Sequence, residues 1–194
     1  KLDDRLKFEL RDYRMQTGSF QKIVSVGMLE HVGPRGLQIF FDKVRKSLAP
    51  GGVAVIHTIA MHHSATPVNR WLTRYIFPGG YLPSIQQLIS VTEGRGLKLL
   101  DMEIMRGHYA ETLRYWRLRF QKCREIMAEK YDERFVRMWE FYLLGCEYFF
   151  RCQHGMVVQL QLSDDQQSVP KSRAYVNDLE CRFKNRLLRS PSAF

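Results

Sequence analysis

Short apolar runs, several of them rich in β-branched residues, recur along the chain as far as residue 162. The stretch "RLKFEL" alternates polar and apolar positions, and "KIVSVGM" is a nearly continuous apolar run. Both patterns are typical of strands, the first half-buried and the second buried on both sides. On this basis the sequence predicts five strands, at residues 5–10, 22–28, 51–59, 97–105 and 156–162.

Amphipathic stretches separate several of these runs. Between the second and third strands, apolar residues recur at helical spacing (Ile39, Phe40, Val44 and Leu48), and Pro50-Gly51-Gly52 predicts the end of that helix. Strands that alternate with such helices favour a parallel sheet covered on both faces. Ligands of such sheets bind beyond the carboxyl ends of the strands. We therefore expect Glu30, after the second strand, and His57, at the end of the third, to lie at this rim.

The middle and the end of the chain follow helical patterns. Residues 67–96 contain three prolines and a glycine pair, which predict short helices and turns, and Ser84 with Gln87 forms a capping box. Two long helices follow, with apolar stripes at Leu113, Trp116, Phe120, Cys123 and Met127, and at Phe135, Trp139, Tyr142, Cys146 and Phe149. After Ser163 the composition becomes polar, and a basic helical segment is predicted there.

Composition limits the classes of function. The chain has 194 residues, enough for one domain with a core, and Lys1 rather than Met at its start suggests a fragment or a processed form. Its net charge of +10 favours an anionic partner, either nucleic acid or anionic lipid, although a solvated basic surface explains it equally well. No nucleic-acid motif is visible, so we expect no nucleic-acid partner.

The longest aromatic run, residues 139–150, is too short and too acidic to span a membrane. The four cysteines have no metal-ligand spacing, so we expect no metal and free thiols in a reducing cytoplasm.

Six motifs, in this order, resemble cyclopropane-fatty-acyl-phospholipid synthases and the related mycolic acid cyclopropane synthases. They are "FELRDYR", "KIVSVGMLEHVGP", "LAPGGVAVIHTIA", "RYIFPGGYLPSIQQL", "GHYAETLRYWRLRF" and "YDERFVRMWEFYLLGCEYFFR", and the resemblance runs from about residue 5 to residue 162. The resemblance implies an α/β fold, the Rossmann-like sheet of class I S-adenosylmethionine-dependent methyltransferases. It would be N-terminally truncated, with a helical insertion that forms the acyl-chain site. Residues 1–163 would be the C-terminal portion of the catalytic domain, and residues 164–194 a polar and basic tail.

The same resemblance implies a reaction and its residues. A methylene group from S-adenosylmethionine is added to the cis double bond of an unsaturated phospholipid acyl chain, and bound bicarbonate removes the proton. Glu30, His57 and Tyr109, with the backbone at Ile59, match the positions that hold bicarbonate, and Cys146 matches a catalytic thiol. Aromatic residues of the two long helices (Trp116, Trp139, Tyr142 and Phe149) would form the walls, since aromatic faces tolerate a carbocation and a closed site keeps water away from it.

The cofactor would contact the loop after the first strand. Asp12 would accept a bond from the adenine amino group, Tyr13 would cover its ring, and Gly27 would border the cofactor site. The glycine-rich GxGxG loop of this methyltransferase class does not occur in the 194 residues. We therefore expect the chain alone to bind S-adenosylmethionine poorly and to be inactive.

Alternatives remain open for each residue and for the function. Glu30 can be a surface group or a helix cap, His57 and Tyr109 packing residues, Cys146 a core residue and Asp12 a turn residue. The protein can also be a related methyltransferase that makes a methyl-branched product, or an inactive membrane-surface interaction protein. In each case the resemblance implies a cytoplasmic protein, peripheral at the surface of an anionic phospholipid membrane, and it allows a homodimer.

Overall fold

The computed structural model describes residues 5–153 and 155–188. The strands are β1 (Phe20–Val26), β2 (Leu48–Met61), β3 (Thr66–Pro67), β4 (Tyr81–Leu82), β5 (Lys98–Met105) and β6 (Gly155–Ser163). The helices are α1 (Gly33–Ser47), α2 (Arg70–Tyr75), α3 (Ile85–Thr92), α4 (His108–Lys122), α5 (Arg124–Lys130), α6 (Glu133–Cys152) and α7 (Ala174–Leu188). Two short 3₁₀ turns lie at Tyr13–Met15 and Leu29–His31.

The main sheet is mixed rather than parallel. Its strand order is β1-β2-β6-β5. Only β1 and β2 run parallel, because β6 enters between β2 and β5 and is antiparallel to both. The alternation of strands and helices predicted a parallel sheet, but it could not show the direction in which the last strand returns after α6. The register places Val26, His57 and Gln159 side by side across three strands.

The main core lies between one face of this sheet and helices α1 and α3. Ile56 and Leu160 from the sheet pack with Phe40, Phe41 and Leu88 from the helices, and all five are buried. Phe41 is fully buried, so its truncation to alanine would cost about 3–5 kcal/mol. The capping box predicted at Ser84 and Gln87 is present at the start of α3 and fixes where that helix begins.

A second cluster lies against the opposite face. Leu113 of α4 and Leu143 of α6 are buried there with Val157 of β6. Further along this face α7 is tied to the sheet by two contacts. Arg173, just before α7, donates to Glu103 at 2.9 Å, and the Tyr175 hydroxyl donates to Gln161 at 3.0 Å. The polar segment after Ser163 is therefore docked on the sheet as far as α7.

Four of the five predicted strands are confirmed and one is wrong. Residues 5–10 form no strand, and Phe8 there is 92% exposed. A strand needs a neighbour to accept its backbone hydrogen bonds, and no neighbour pairs with this segment within the described part of the chain. Alternation of polar and apolar residues indicates a tendency to form a strand, but it does not show whether a neighbouring strand is available to pair with it.

Two details of the predicted helices also differ. Helix α1 ends at Ser47, so Leu48 belongs to β2, and Ile39 is exposed. The first long helix breaks at Cys123, which is exposed, and Met127 therefore belongs to the separate helix α5. The second predicted long helix is α6, and α7 corresponds to the predicted basic helix.

Among residues 5–153 and 155–188, no helix combines the length and the apolar character that crossing a bilayer requires. In the same part of the chain, no three histidine, cysteine or acidic side chains lie close enough to hold a metal ion.

Candidate active site

A cavity of about 870 Å³ lies between the ends of β1 and β2 and helices α2 and α6. Its lining is mainly apolar and aromatic, and includes Ile59, Trp71, Phe77, Tyr109, Tyr142 and Phe149. The wall at Phe149 depends on Gly155 at the start of β6, because a Cβ there would come within 2.0 Å of the Phe149 ring. Such a lining suits an apolar ligand with a few polar groups at fixed points.

Glu30 provides the acidic group of this cavity. Gly27 directly follows β1 with a φ of +63°, a conformation that favours glycine, and its N–H donates to the His57 carbonyl at 3.1 Å. The chain then turns so that Leu29 is fully buried in the main core and Glu30 faces the cavity. This turn is the reason that a carboxylate follows a buried strand.

One oxygen of the Glu30 carboxylate is bonded and the other is not. Glu30 is only 8% exposed, and its Oε1 accepts a hydrogen bond from the Ile59 N–H at 2.6 Å. Its Oε2 is buried and has no hydrogen-bond partner among the described residues. Leaving such an acceptor unpaired is costly, so the arrangement indicates a ligand that donates a hydrogen bond at this point.

Three further polar side chains meet at the same cavity. Burial raises the pKa of Tyr109, and the neighbouring Cys146 and Glu30 raise it further. Burial also raises the pKa of Tyr142, with smaller contributions from Tyr109 and Cys146. Burial raises the pKa of the Cys146 thiol to about 11. These mutual effects place Glu30, Tyr109 and Cys146 within one electrostatic environment, and at neutral pH both phenols and the thiol keep their protons.

His57 does not line the cavity. It sits within β2 rather than at the strand's end, because β2 continues to Met61. Its ring is half-buried on the same side of the strand as Ile59, and its Nδ1 lies 3.1 Å from the Gln159 side-chain nitrogen. The predicted role of His57 toward an ion stays a prediction.

The predicted cofactor residues fall into two groups. Gly27 lines the cavity, whereas Asp12 and Tyr13 do not. The Asp12 side chain caps a 3₁₀ turn, and its hydrogen bonds to Arg14 lower its pKa to about 2. Tyr13 is half-buried, with its ring 5.7 Å from that of Phe40. The structure thus brings Glu30, Ile59, Tyr109, Cys146 and Gly27 together at one cavity, apart from Asp12 and Tyr13.

Comparison with known proteins shows the family to which this chain belongs. The family model described as mycolic acid cyclopropane synthetase matches residues 1–160. The chain belongs to this family. Because the match covers most of the chain, it includes every element that lines the cavity.

Named relatives agree with this assignment. The chain is 42% identical over 164 residues to tuberculostearic acid methyltransferase UfaA1 of Mycobacterium tuberculosis, covering 81% of this chain and 38% of that protein. It is 37% identical over 154 residues to cyclopropane-fatty-acyl-phospholipid synthase of Escherichia coli, covering 79% and 40%. The chain therefore spans about two fifths of the length of these relatives.

Solved structures agree with the fold. The cyclopropane synthase MmaA2 from Mycobacterium tuberculosis superposes with a TM-score of 0.71 at 27% identity, over 82% of this chain and 63% of that one. Mycolic acid cyclopropane synthase CmaA1, in complex with SAH and CTAB, gives 0.73 at 26% identity, over 79% and 59%. The mixed sheet with its helical layer is thus the Rossmann-like methyltransferase fold of this family.

Some residues of the cavity were not predicted from sequence, and some predicted wall residues are absent from it. Tyr142 and Phe149 line the cavity, but Trp116 and Trp139 do not. Several lining residues had not been singled out, among them Trp71, Phe77, Arg134 and Arg137. For Arg134 and Arg137 the signal was available in their spacing, since they lie one turn apart on the helix that carries Tyr142 and Cys146.

Proposed function

We propose that this chain is part of an enzyme that transfers a methylene group from S-adenosylmethionine to the cis double bond of an unsaturated phospholipid acyl chain. The observation that carries the proposal is the buried, half-paired carboxylate of Glu30 in an aromatic cavity, within a chain of the cyclopropane synthetase family. Residues 1–163 would form the C-terminal portion of the catalytic domain, and residues 164–194 a tail.

The cavity lining supports an acyl chain as the substrate. Each buried methylene group of such a chain contributes about 0.8 kcal/mol, so an apolar cavity of this size can hold part of it without any polar handle. The double bond has no acidic proton, so its π electrons must form the new carbon–carbon bond to the sulfonium methyl group while the carbon–sulfur bond breaks. The ring closes when the new methyl group loses a proton.

Aromatic side chains near Cys146 support the cationic stage of this reaction. The rings of Phe77 and Tyr142 meet edge to face at 5.7 Å, and both border the cavity. Aromatic faces attract positive charge, and an apolar wall keeps out water that would trap the cation as an alcohol. The neutral phenol of Tyr109 adds a hydrogen-bond donor to the same space.

The base that accepts the proton is proposed to be bicarbonate. Bicarbonate, when bound, supplies an oxyanion small enough for this cluster and basic enough to take a proton from a carbocation. The unpaired Oε2 of Glu30 fits its hydroxyl group, and the Tyr109 phenol could donate to another oxygen. The Ile59 N–H already donates to Glu30 Oε1, so it would act by orienting Glu30 rather than by direct contact. His57 would need to reach the ion from its neighbouring position on β2.

S-adenosylmethionine is proposed as the methylene donor because the family relative CmaA1 was solved with SAH. Within this chain Gly27 would border the cofactor, and Asp12 and Tyr13 would contact adenine. The glycine-rich loop has no counterpart in the 194 residues. We therefore propose that the activity belongs to a longer protein that includes this segment, acting at the cytoplasmic surface of an anionic membrane, with a homodimer as one assembly.

The test uses the protein in the full length in which it is encoded. It is incubated with S-adenosylmethionine labelled at the methyl carbon and with vesicles of unsaturated phospholipid. The expected result is label in fatty acids that have gained one carbon and a ring. Absence of label from the fatty acids would overturn the proposal.

A methyl-branched product is the second candidate. It is favoured by the 42% identity to tuberculostearic acid methyltransferase, which exceeds the 37% identity to the cyclopropane synthase. Mass spectrometry of the labelled fatty acid, before and after catalytic hydrogenation, separates a ring from a branch. A protein that binds vesicles but never transfers label would instead be a membrane-surface protein without catalysis.

A further inference from the structure

Helix α6 carries an exposed stripe whose composition changes along its length. With about 100° per residue, five exposed side chains fall on one side of the helix, within a sector of about 80°. They are Arg134, Arg137, Phe141, Leu144 and Tyr148. We call this the α6 stripe. Its first two members are cationic and its last three are apolar.

The α6 stripe borders the cavity. Arg134, Arg137 and Phe141 are both exposed and part of the cavity lining, so they stand at its mouth. Phe141 is fixed there by Trp71 of α2, whose ring meets it edge to face at 4.7 Å. The mouth therefore opens beside the stripe rather than on another face of the molecule.

The two arginines of the stripe have no acidic partner among the described residues. The acidic side chains nearest in sequence on α6 are Glu133 and Glu140, and both are paired with Arg124 of α5. Arg134 and Arg137 are left one turn apart with unpaired guanidinium groups at the edge of an apolar cavity. Two neighbouring guanidinium groups without acidic partners suit phosphate, because each guanidinium can donate two parallel hydrogen bonds to phosphate oxygens.

We propose that the α6 stripe docks on an anionic phospholipid bilayer, with Arg134 and Arg137 binding the lipid phosphate at the mouth of the cavity. Phe141, Leu144 and Tyr148, each more than half exposed, would enter the interfacial layer, where aromatic and apolar side chains with flanking cations are favoured. This inference rests on the proposed function, which identifies the ligand that enters the cavity as a lipid acyl chain. It adds the residues that select the headgroup.

The geometry of α6 also sets which part of a bound lipid's acyl chain can reach the cluster at Glu30 and Cys146. Arg137 and Cys146 are nine residues apart, about 14 Å along the helix axis. That is about half of the ~30 Å hydrocarbon thickness of a bilayer. A lipid held by its phosphate at Arg137 would therefore have to extend its acyl chain along the cavity, so that carbons well beyond the ester end reach the cluster at Glu30 and Cys146.

The test measures sedimentation of the 194-residue chain with vesicles of phosphatidylglycerol and phosphatidylcholine, and with vesicles of phosphatidylcholine alone. The double variant R134A/R137A should lose roughly 30-fold in affinity for the anionic vesicles, since each basic residue near the surface contributes about fivefold. The control R35A/R119A removes two exposed arginines that lie outside the cavity lining and should lose less than twofold.

A second pair of variants tests the apolar half of the stripe. L144S/Y148S should weaken binding about tenfold, whereas L179S/F183S, on the exposed side of α7, should leave it unchanged. Thermal unfolding of each variant checks that the fold is retained. Equal losses in stripe and control variants, loss only in the α7 variant, or no preference for anionic vesicles would each overturn the inference.

Docking of an acidic carrier protein is another outcome that would overturn it. If the chain binds such a protein through Arg134 and Arg137 but does not bind vesicles, the α6 stripe is a protein interface. The proposed function fails separately, when the full-length protein transfers no label to lipid although the chain binds vesicles in the expected pattern.

Discussion

At the scale of single residues, Glu30 gives the most direct test of the site. The variant Glu30→Gln keeps an oxygen for the Ile59 N–H but replaces the unpaired carboxylate oxygen by an amide nitrogen. A group that orients a bound base would then be lost, and we expect label transfer by the full-length protein to fall about 100-fold or more. The measurement is the initial rate with labelled S-adenosylmethionine and unsaturated vesicles.

Stability distinguishes a role in catalysis from a role in folding. Glu30→Gln removes a buried charge without removing its bonded oxygen, so its melting temperature should stay within about 3 °C of the parent. The control Glu93→Gln changes an exposed carboxyl group outside the cavity and should leave both the rate and the melting temperature unchanged. A Glu30→Gln variant with full activity would remove Glu30 from the site.

Cys146 is predicted to react slowly with thiol reagents. Its pKa is raised to about 11 by burial, so at pH 8 its thiolate fraction is roughly a hundredfold smaller than that of an ordinary cysteine. In the native chain, a thiol reagent at pH 8 should modify three exposed cysteines first (Cys123, Cys152 and Cys181). Cys146 should follow about a hundredfold more slowly, and raising the pH toward 11 should accelerate it.

The variant Cys146→Ser is the control for this assignment, because it should abolish the slow phase alone. In full-length protein it should also retain most of the label transfer, since a protonated thiol acts as part of the wall rather than as a nucleophile. Four equally fast thiols, or complete inactivity of a folded Cys146→Ser protein, would contradict this view.

At the scale of elements, ion pairs join the two helices behind the cavity. Glu147 of α6 is buried and accepts hydrogen bonds from Arg117 of α4 at 2.9 Å and from Arg151 at 3.1 Å. Arg151 also binds Glu111 of α4 at 2.7 Å. Replacing Glu147 by glutamine leaves these cations without their shared partner, and we expect the free energy of unfolding to fall by about 3 kcal/mol.

Urea unfolding of Glu147→Gln checks this value against Glu125→Gln, which changes an exposed residue of α5 without an ion pair in the described chain. Equal destabilisation of the two variants would show that the ion pairs of Glu147 do not stabilise the fold.

The same network predicts acid sensitivity. Although burial alone would raise the pKa of Glu147, hydrogen bonds from Arg117 and Arg151 hold it below its ordinary value of 4.5. A lowered pKa means that the carboxylate stabilises the folded state above pH 4.5, and that this contribution is lost as the pH falls through the lower, folded-state pKa. The difference in stability between the parent and Glu147→Gln should therefore shrink below pH 4.5. A constant difference down to pH 3 would contradict the pairing.

The elements also show what sequence could and could not predict. β2 and β6 were recognisable because their apolar runs are buried or half-buried at nearly every position, whereas residues 5–10 alternate correctly and still form no strand. Glu30, Tyr109 and Cys146 were found through the family motifs and do share a cavity. The half-paired state of Glu30 and the position of His57 within β2 depend on packing between segments far apart in sequence, which no local pattern records.

At the scale of the whole molecule, the sheet has one edge strand whose surface is poorly covered. Among the described residues β1 pairs only with β2, and Val24 and Val26 on its outer face are 69% and 66% exposed. The chain spans about two fifths of the length of its curated relatives. A long apolar edge strand is a template for association with further chain, so the 194-residue chain should self-associate as its concentration rises.

The double variant Val24→Lys/Val26→Lys should suppress this association, because lysines on an edge strand oppose pairing with another chain. Sedimentation velocity over a wide concentration range should show the parent chain growing in mass while the variant stays monomeric. The control Gln38→Lys/Ile39→Lys adds the same charge at exposed positions of α1, and it should associate like the parent. If the control is equally monomeric, added charge alone explains the effect. If the β1 variant still associates, the contact lies elsewhere. Only suppression confined to β1 would identify this edge as the surface that further chain covers.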